Sequence, residues 1–201
     1  MPRSKNKAPP NAGCTQRDCP NHKHAFRPQR KDGVLVGDGE CVDCGRIPVD
    51  FDRTRKHNPS DIQYTLDSFG LEYIRNKFWM KEFNETSLNY AKRKGKVVLL
   101  DLAEKKVMQN VGGPAGPYDN RNVPIDDDTL ANPYHYAFHA TATCCRRCVE
   151  YWHGIPPDRQ LLPSEGSYLT SLVRRFLVQR LPSSVGEQGV YVPARRNQDL
   201  L

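Results

Sequence analysis

The sequence lacks any long apolar run and is poor in hydrophobic residues. No stretch approaches the roughly 18 apolar residues that a membrane-spanning helix needs, and the opening residues MPRSKNK lack the apolar core of a signal peptide. We therefore expect no membrane partner and a cytoplasmic location. Hydrophobic residues make up 37% of the 201 residues and the mean hydropathy is −0.73. So little apolar surface suits a fold that bound metal helps to stabilise.

Cysteine occurs only in two clusters, and the seven cysteines are too many by one for complete disulfide pairing. In a reducing compartment, clustered cysteines bind metal more often than they form disulfides. The candidate ligands are Cys14, Cys19, Cys41 and Cys44 near the N-terminus, and Cys144, Cys145 and Cys148 with His139 and His153 on either side. Thiolate and imidazole favour zinc, so we expect two zinc sites, with an iron–sulfur cluster as the alternative.

The first cluster consists of two cysteine pairs separated by 21 residues. Cys41 and Cys44 belong to a Cys-x2-Cys-Gly-Arg knuckle, and Cys14 and Cys19 form a looser pair. Two such pairs supply the four ligands of tetrahedral zinc with little strain. His22 or His24 could replace Cys19. Because four protein ligands leave no open position, the spacing favours a structural site over a catalytic one.

The second cluster lies on a predicted helix over residues 143–153. At 100° per residue the three thiols share one face with Trp152, and His139 reaches in from the preceding loop. Cys144 or Cys145 would bind a metal together with Cys148, whereas His153 stands at the helix end. An open coordination position would permit catalysis. Two alternatives are cysteines packed as small core residues, and a nucleophilic thiol with His139 as its base.

The patterns along the chain predict a mainly α protein with a small N-terminal β zinc-ribbon-like segment, α+β overall. The run Val34–Val36 and the glycines after it predict a hairpin that carries the Cys41–Cys44 knuckle. The predicted units are a disordered tail over 1–12, the zinc-ribbon-like knuckle over 13–50, a linker and helix over 51–69, a helical metal-binding domain over 70–181 and a tail over 182–201.

Helical signals dominate the central and C-terminal parts of the chain. A helix capped by Ser60-Asp61 continues to Phe69. A second runs over 85–94 and ends at Gly95. A third runs over 96–108, and its amphipathic face consists of Val97, Leu100, Ala103, Glu104 and Val107. The last helix begins at Ser164-Glu165. Its apolar stripe consists of Tyr168, Leu169, Leu172, Val173, Phe176, Leu177 and Leu181.

The run HATATCCRRCVEYWHGIP, residues 139–156, resembles the signature of a bacterial and phage family, the domain of unknown function numbered four-one-eight-six. The resemblance extends back through KFWMKEF (77–83), KRKG (92–95) and DNRNVP (119–124), and covers about residues 70–181. Where such proteins tend to have Gly-His-Pro, this chain has Ala131-Asn132-Pro133, so His135 is a possible substitute ligand. The resemblance implies no established activity.

The net charge of +7 and a pI near 9.1 favour a nucleic-acid partner, because basic surfaces attract phosphate backbones. Residues 1–60 hold twelve Lys and Arg against seven Asp and Glu, although such a tail can also serve solubility alone. Our first hypothesis is therefore a zinc-binding, nucleic-acid-associated protein of phage or mobile-element DNA metabolism. One alternative is a metal-dependent hydrolase or nuclease that uses the 139–153 cluster with Asp119, Asn120 and Arg121. Another is a structural zinc adaptor for a protein partner.

Overall fold

The fold is built almost entirely from helices. A computed structural model describes residues 15–27, 29–31, 34–36, 39–116 and 130–193. The α-helices of these residues are α1 (Phe51–Thr54), α2 (Ile62–Phe69), α3 (Tyr73–Met80), α4 (Glu85–Val111), α5 (Pro133–Ala140), α6 (Arg146–His153) and α7 (Pro163–Arg180). Single 3-10 turns cover Cys19–Asn21 and Pro59–Asp61. The mainly helical class predicted from the sequence is confirmed.

The strands of the described residues form one short antiparallel hairpin. Strand β1 (Gln29–Lys31) pairs with β2 (Val34–Val36), so that Gln29 lies opposite Val36 and Lys31 opposite Val34. The sequence pattern predicted that this hairpin carries the cysteine knuckle, after Val34–Val36. The structure corrects this placement, because β2 pairs with the residues before it and the knuckle forms a separate turn after the hairpin.

The core lies between α4 and α7, with α5 against both and α3 packed on α5. Every residue of the predicted α7 stripe is buried, which confirms that part of the sequence pattern. In α4 a buried residue recurs at every fourth position, at Ser87, Ala91, Gly95, Leu99, Ala103, Val107 and Val111. Val97 was predicted on this face but is 41% exposed. The four-residue spacing of buried positions continues through Gly95, so Leu99 and not Val97 points to the core.

Gly95 interrupts α4 and divides it into two helical segments. Its φ of 76° and ψ of 159° lie in a region that only glycine occupies readily. The break predicted at Gly95 is confirmed. The interruption is filled by the chain after α7, since the N–H of Lys96 donates to the carbonyl of Gly186 at 2.9 Å and the N–H of Val190 to that of Lys92 at 2.9 Å. This part of the predicted 182–201 tail is therefore attached to the core, and Val185 is fully buried.

Replacing Gly95 with alanine is expected to lower the free energy of unfolding by about 2–4 kcal/mol, through backbone strain and a steric clash together. A Cβ at this position would collide with the backbone of Gln188 and Gly189. Gly113→Ala is the matched control, because a Cβ there meets no atom within 4 Å. Urea unfolding of the two variants measures the difference, and equal stabilities would contradict the assigned packing.

An aromatic cluster joins the N-terminal part of the chain to the helices. Trp152 of α6 is fully buried, and its ring centre lies 6.0 Å from that of Phe26, 5.1 Å from Phe51 and 4.7 Å from Phe69. Aromatic pairs at these separations stabilise a core beyond the area that they bury. The segment around Phe26 thus contributes to the same core as α2 and α6.

Residues 51–57, which belong to the segment predicted as a linker and helix over 51–69, pack on α6. The Thr54 hydroxyl donates to the carbonyl of Trp152 at 3.2 Å, and the Arg55 guanidinium donates to the carbonyl of Tyr151 at 2.9 Å. Both acceptors lie in the last turn of α6, where helical carbonyls have no partner within the helix. The segment therefore completes the C-terminal end of α6.

Candidate metal centres

The first centre combines three cysteines and one histidine. One ligand atom from each of Cys19, His24, Cys41 and Cys44 lies within 4.8 Å of all the others. The Sγ atoms of Cys19 and Cys41 are 3.6 Å apart, and the Sγ atom of Cys44 is 3.4 Å from Nδ1 of His24. His24 and Cys41 are buried, whereas Cys44 is exposed. Four soft donors in this space can hold one metal ion.

Local turns bring these four side chains together. The N–H of Cys41 donates to the carbonyl of Arg46 at 2.8 Å and the N–H of Gly45 donates to that of Cys41 at 2.9 Å. Gly45 has a φ of +70°, which closes the knuckle tightly. On the other side, Cys19 begins a 3-10 turn and His24 follows it in an extended segment.

Two thiols of this centre differ in acidity. Burial favours the neutral thiol of Cys41, but hydrogen bonds from the backbone of Cys44, Ala25 and Asp43 lower its pKa to about 6. Burial and the neighbouring Cys41 and Cys44 sulfurs raise the pKa of Cys19 to about 12. At neutral pH the Cys41 thiolate is therefore present, and a cation must displace the proton of Cys19.

Of the predicted ligands of the first centre, Cys19, Cys41 and Cys44 lie together in the structure. Cys14 lies outside the described residues, and His24, predicted as a replacement for Cys19, is present beside it. The useful signal was the spacing Cys19-x4-His24, which places an imidazole within reach of the knuckle.

The second centre holds three thiols at the start of α6. The Sγ atoms of Cys144, Cys145 and Cys148 all lie within 4.8 Å of one another. The helix begins at Arg146, not at residue 143 as predicted, because Cys145 has an extended backbone with φ −158° and ψ 162°. The thiols therefore meet where an extended residue enters a helix, and they do not form a stripe along one helical face.

Two thiols of the second centre retain their protons when no cation is bound. The hydrogen bond with Cys144 and burial together raise the pKa of Cys145 to about 12. Although Cys145 lowers it, Cys148 and burial raise the pKa of the Cys144 thiol above its usual range. A metal that binds here must release protons, as thiolate sites do generally.

His139 and His153 do not belong to this group of three sulfurs. The ring of His139 stacks on Phe78 with centres 4.4 Å apart, and Nε2 of His153 lies 3.2 Å from the carbonyl oxygen of Thr141, to which it donates. Within the described part of the chain, Nδ1 of each ring is buried without a hydrogen-bond partner. Burial lowers the pKa of each histidine to about 3, so both rings are neutral.

A buried ion pair lies beside the second centre, and its arginine contacts two of the sulfurs. The side chains of Glu72 and Arg75 are both fully buried, with Nε of Arg75 3.0 Å from Oε2 of Glu72. Burial alone would lower the pKa of Arg75, but the nearby Tyr151, Cys148 and Glu72 outweigh burial and raise this pKa well above its usual value. The sequence alone did not reveal this pair, because acid and base three residues apart are common on exposed helices.

The candidate catalytic residues Asp119, Asn120 and Arg121 lie outside the described residues. His135, the possible substitute ligand, is an exposed residue of α5. That helix begins at Pro133, where the side chain of Asn132 accepts a hydrogen bond from the N–H of Tyr134 at 3.1 Å. The departure from Gly-His-Pro thus provides a helix cap.

A basic groove of about 730 Å³ lies between α7 and the segment before α2. Its cationic side chains are Lys56 and Arg175, and its hydroxyls include those of Ser164, Ser167 and Ser171 of α7. His57 is fixed on its wall by a 2.6 Å hydrogen bond to the carbonyl of His153 and by its ring, 4.8 Å from that of Tyr168. The lining residues include no carboxylate.

These features define a mainly helical protein with two clusters of side chains that could hold metal ions. The chain belongs to the family described as domain of unknown function DUF4186, whose model matches residues 63–178. The resemblance to that family is thereby confirmed. The matched region contains the second centre with Glu72 and Arg75, whereas the first centre lies before it. No solved structure matches the chain. Among the described helices, none combines the length and apolar character that crossing a membrane requires.

Proposed function

We propose that this is a zinc-binding, nucleic-acid-associated protein. The observation that carries the metal-binding part is the convergence of Cys19, His24, Cys41 and Cys44, whose ligand atoms lie within 4.8 Å of one another. Three thiolates and one imidazole form a ligand set typical of structural zinc. Because four protein ligands fill a tetrahedral site, we assign the first centre a structural role.

The position of His24 supports this structural role. Its N–H donates to the carbonyl of Leu71 at 2.7 Å, and its carbonyl accepts from the N–H of Tyr73 at 2.9 Å. An ion held by His24 would therefore fix the cysteine knuckle to the residues that begin α3. Metal binding would then contribute directly to the free energy of folding.

The metal content of the purified protein tests the proposal. We expect two zinc equivalents per chain by elemental analysis, and one equivalent in Cys41→Ser, which removes a buried ligand of the first centre. Ser87→Ala is a control that leaves both sets of cysteines intact. Wild-type protein without zinc would refute the proposal, and iron with visible absorbance would indicate an iron–sulfur protein instead.

A second candidate is a metal-dependent hydrolase or nuclease. The observation that favours it is the second centre, where three sulfurs converge without a fourth ligand from the described residues. Catalytic zinc sites retain such an open position. Asp119, Asn120 and Arg121 stay candidates for this chemistry. A structural adaptor for a protein partner is the remaining alternative, and it requires that neither centre turn over a substrate.

The charge distribution supports nucleic acid as the partner. The chain has a net charge of +7, and the basic groove presents Lys56, His57 and Arg175 beside the serines of α7. Hydroxyl and cationic side chains are the usual donors to phosphate oxygens. Such contacts bind the backbone of a nucleic acid without reading its sequence.

Binding of labelled single- and double-stranded oligonucleotides at graded salt concentrations tests this partner. Lys56→Gln and Arg175→Gln should each weaken binding and reduce the slope of log affinity against log salt by about one unit, because each variant neutralises one phosphate fewer. Lys105→Gln, which removes an exposed charge of α4 outside the groove lining, is the matched control. No binding by the wild-type protein at low salt would remove nucleic acid from the proposed function.

A further inference from the structure

The guanidinium of Arg75 is directed at the sulfurs of the second centre. Its Nη2 atom lies 3.1 Å from Sγ of Cys148, and its Nη1 atom lies 3.5 Å from Sγ of Cys144. The Arg75 side chain has no exposure to water. A buried arginine is costly unless its donors find partners, so the acceptors around it matter.

Other groups fix the orientation of this guanidinium. Nε of Arg75 binds Glu72 at 3.0 Å, Nη1 also donates to the carbonyl of His139 at 2.5 Å, and Nη2 also donates to the hydroxyl of Tyr151 at 3.1 Å. The Glu72 carboxylate is held in turn, because it accepts from the Tyr151 hydroxyl at 2.6 Å and from Nε1 of Trp152 at 2.5 Å. The donors that face Cys144 and Cys148 are therefore held rigidly in place.

The two N–H donors of Arg75 would bind thiolates more strongly than neutral thiols. A neutral thiol is a weak hydrogen-bond acceptor, whereas hydrogen bonds to a charged acceptor are roughly twice as strong as neutral ones. Three thiolates around a divalent cation leave an excess of negative charge in a mostly buried site. A guanidinium in contact with two of the sulfurs would offset that charge and set the sulfur positions.

We infer that Arg75 is a positioning residue for a metal–thiolate group at Cys144, Cys145 and Cys148, holding two of the three sulfurs and stabilising their charge. This inference rests on the proposed metal binding. It assigns to Arg75 the part that outer-sphere hydrogen bonds have in thiolate sites, where they orient the ligands and tune the metal. It also explains why this chain buries Arg75 against two cysteine sulfurs.

The test is a titration of the metal-free full-length protein with Co²⁺ against a competing chelator. The wild type should bind two ions, and Cys145→Ser should identify the step that belongs to the second centre. Arg75→Lys preserves the charge opposite Glu72, but one ammonium cannot replace a guanidinium that donates to several partners. The affinity of Arg75→Lys for Co²⁺ at the second centre should fall by about 10–100-fold, with the affinity of the first centre unchanged.

A spectroscopic readout separates positioning from a general loss of structure. Hydrogen bonds to a thiolate stabilise its lone pairs, so their loss in Arg75→Lys should move the sulfur-to-cobalt charge-transfer band of the second centre to lower energy. Arg146→Lys is the matched control. It alters another buried arginine, whose guanidinium donates to the carbonyls of Val111 and Arg159, and it should leave the band in place.

The possible results separate the role of Arg75 from metal binding at the second centre. A wild type that binds two ions, with Arg75→Lys identical in affinity and spectrum, would overturn the inference alone. A wild type without an ion at the second centre would overturn that metal site and the inference together. Should Arg75→Lys not fold, ¹⁵N NMR of the wild type with diamagnetic Zn²⁺ decides: the Arg75 guanidinium resonances must shift when the second centre fills, and unchanged resonances overturn the inference.

Discussion

Replacing Glu72 with alanine is expected to lower the free energy of unfolding by about 3–5 kcal/mol, because breaking a buried ion pair leaves an uncompensated charge. Glu72 and Arg75 have no exposed side-chain surface, and the hydroxyl of Tyr151 and Nε1 of Trp152 would be deprived of their acceptor as well. Such a loss approaches the whole stability of a typical domain. Denaturant unfolding followed by circular dichroism measures it.

Two further variants show whether the ion pair itself causes the loss. Asp61→Ala breaks an exposed pair with Arg53 and should leave stability close to that of the wild type, because water screens such pairs. The double variant Glu72→Gln with Arg75→Met removes both charges and should recover part of the stability that Glu72→Ala loses. If Glu72→Ala unfolded at the same denaturant concentration as Asp61→Ala, the buried pair would not have the importance assigned to it.

Acid is expected to destabilise the protein through His139 and His153. Burial lowers the pKa of each from 6.5 to about 3 in the folded chain. The unfolded chain therefore binds protons on these rings at a higher pH than the folded chain does, so stability is lost as the pH falls from about 6.5 towards 3. By pH 4.5 each ring should cost about 2–3 kcal/mol.

Free energies of unfolding measured between pH 7 and pH 4 test this expectation in metal-free protein. His139→Phe retains a ring against Phe78 but cannot take up a proton, so its stability should fall less steeply with pH than that of the wild type. His22→Asn replaces an exposed histidine with a residue that tolerates its φ of +54°, and its pH dependence should follow the wild type. Parallel curves for all three proteins would contradict the assignment.

Patterns in the sequence correctly predicted the features that depend on neighbouring residues along the chain. The α7 stripe is buried as its spacing required, and the chain breaks at Gly95 because only glycine adopts that backbone readily. The Cys-x2-Cys knuckle also brings its two sulfurs together, beside a third cysteine. Each of these features depends mainly on residues that are close to one another in the sequence.

The remaining features depend on contacts between residues that are far apart in the sequence, so neighbouring residues could not predict them. Helical periodicity placed Cys144 and Cys145 inside α6, but Cys145 is extended and precedes it. Burial of Glu72 and Arg75 depends on Tyr151 and Trp152, which bind Glu72 from 79 and 80 positions away in the sequence. Likewise, nothing near His139 in the sequence indicates that its ring stacks on Phe78 instead of joining the sulfurs.

The aromatic contacts of Trp152 have a consequence for any shortened form of this protein. Phe26 and Phe51 cover that indole, yet both precede residue 63, where the match to the family model begins. A shortened protein that spans only 63–178 would present the indole and the ring of Phe69 to water. Exposed apolar patches of this kind promote self-association, so we expect the shortened protein to associate with itself more readily than the full chain does.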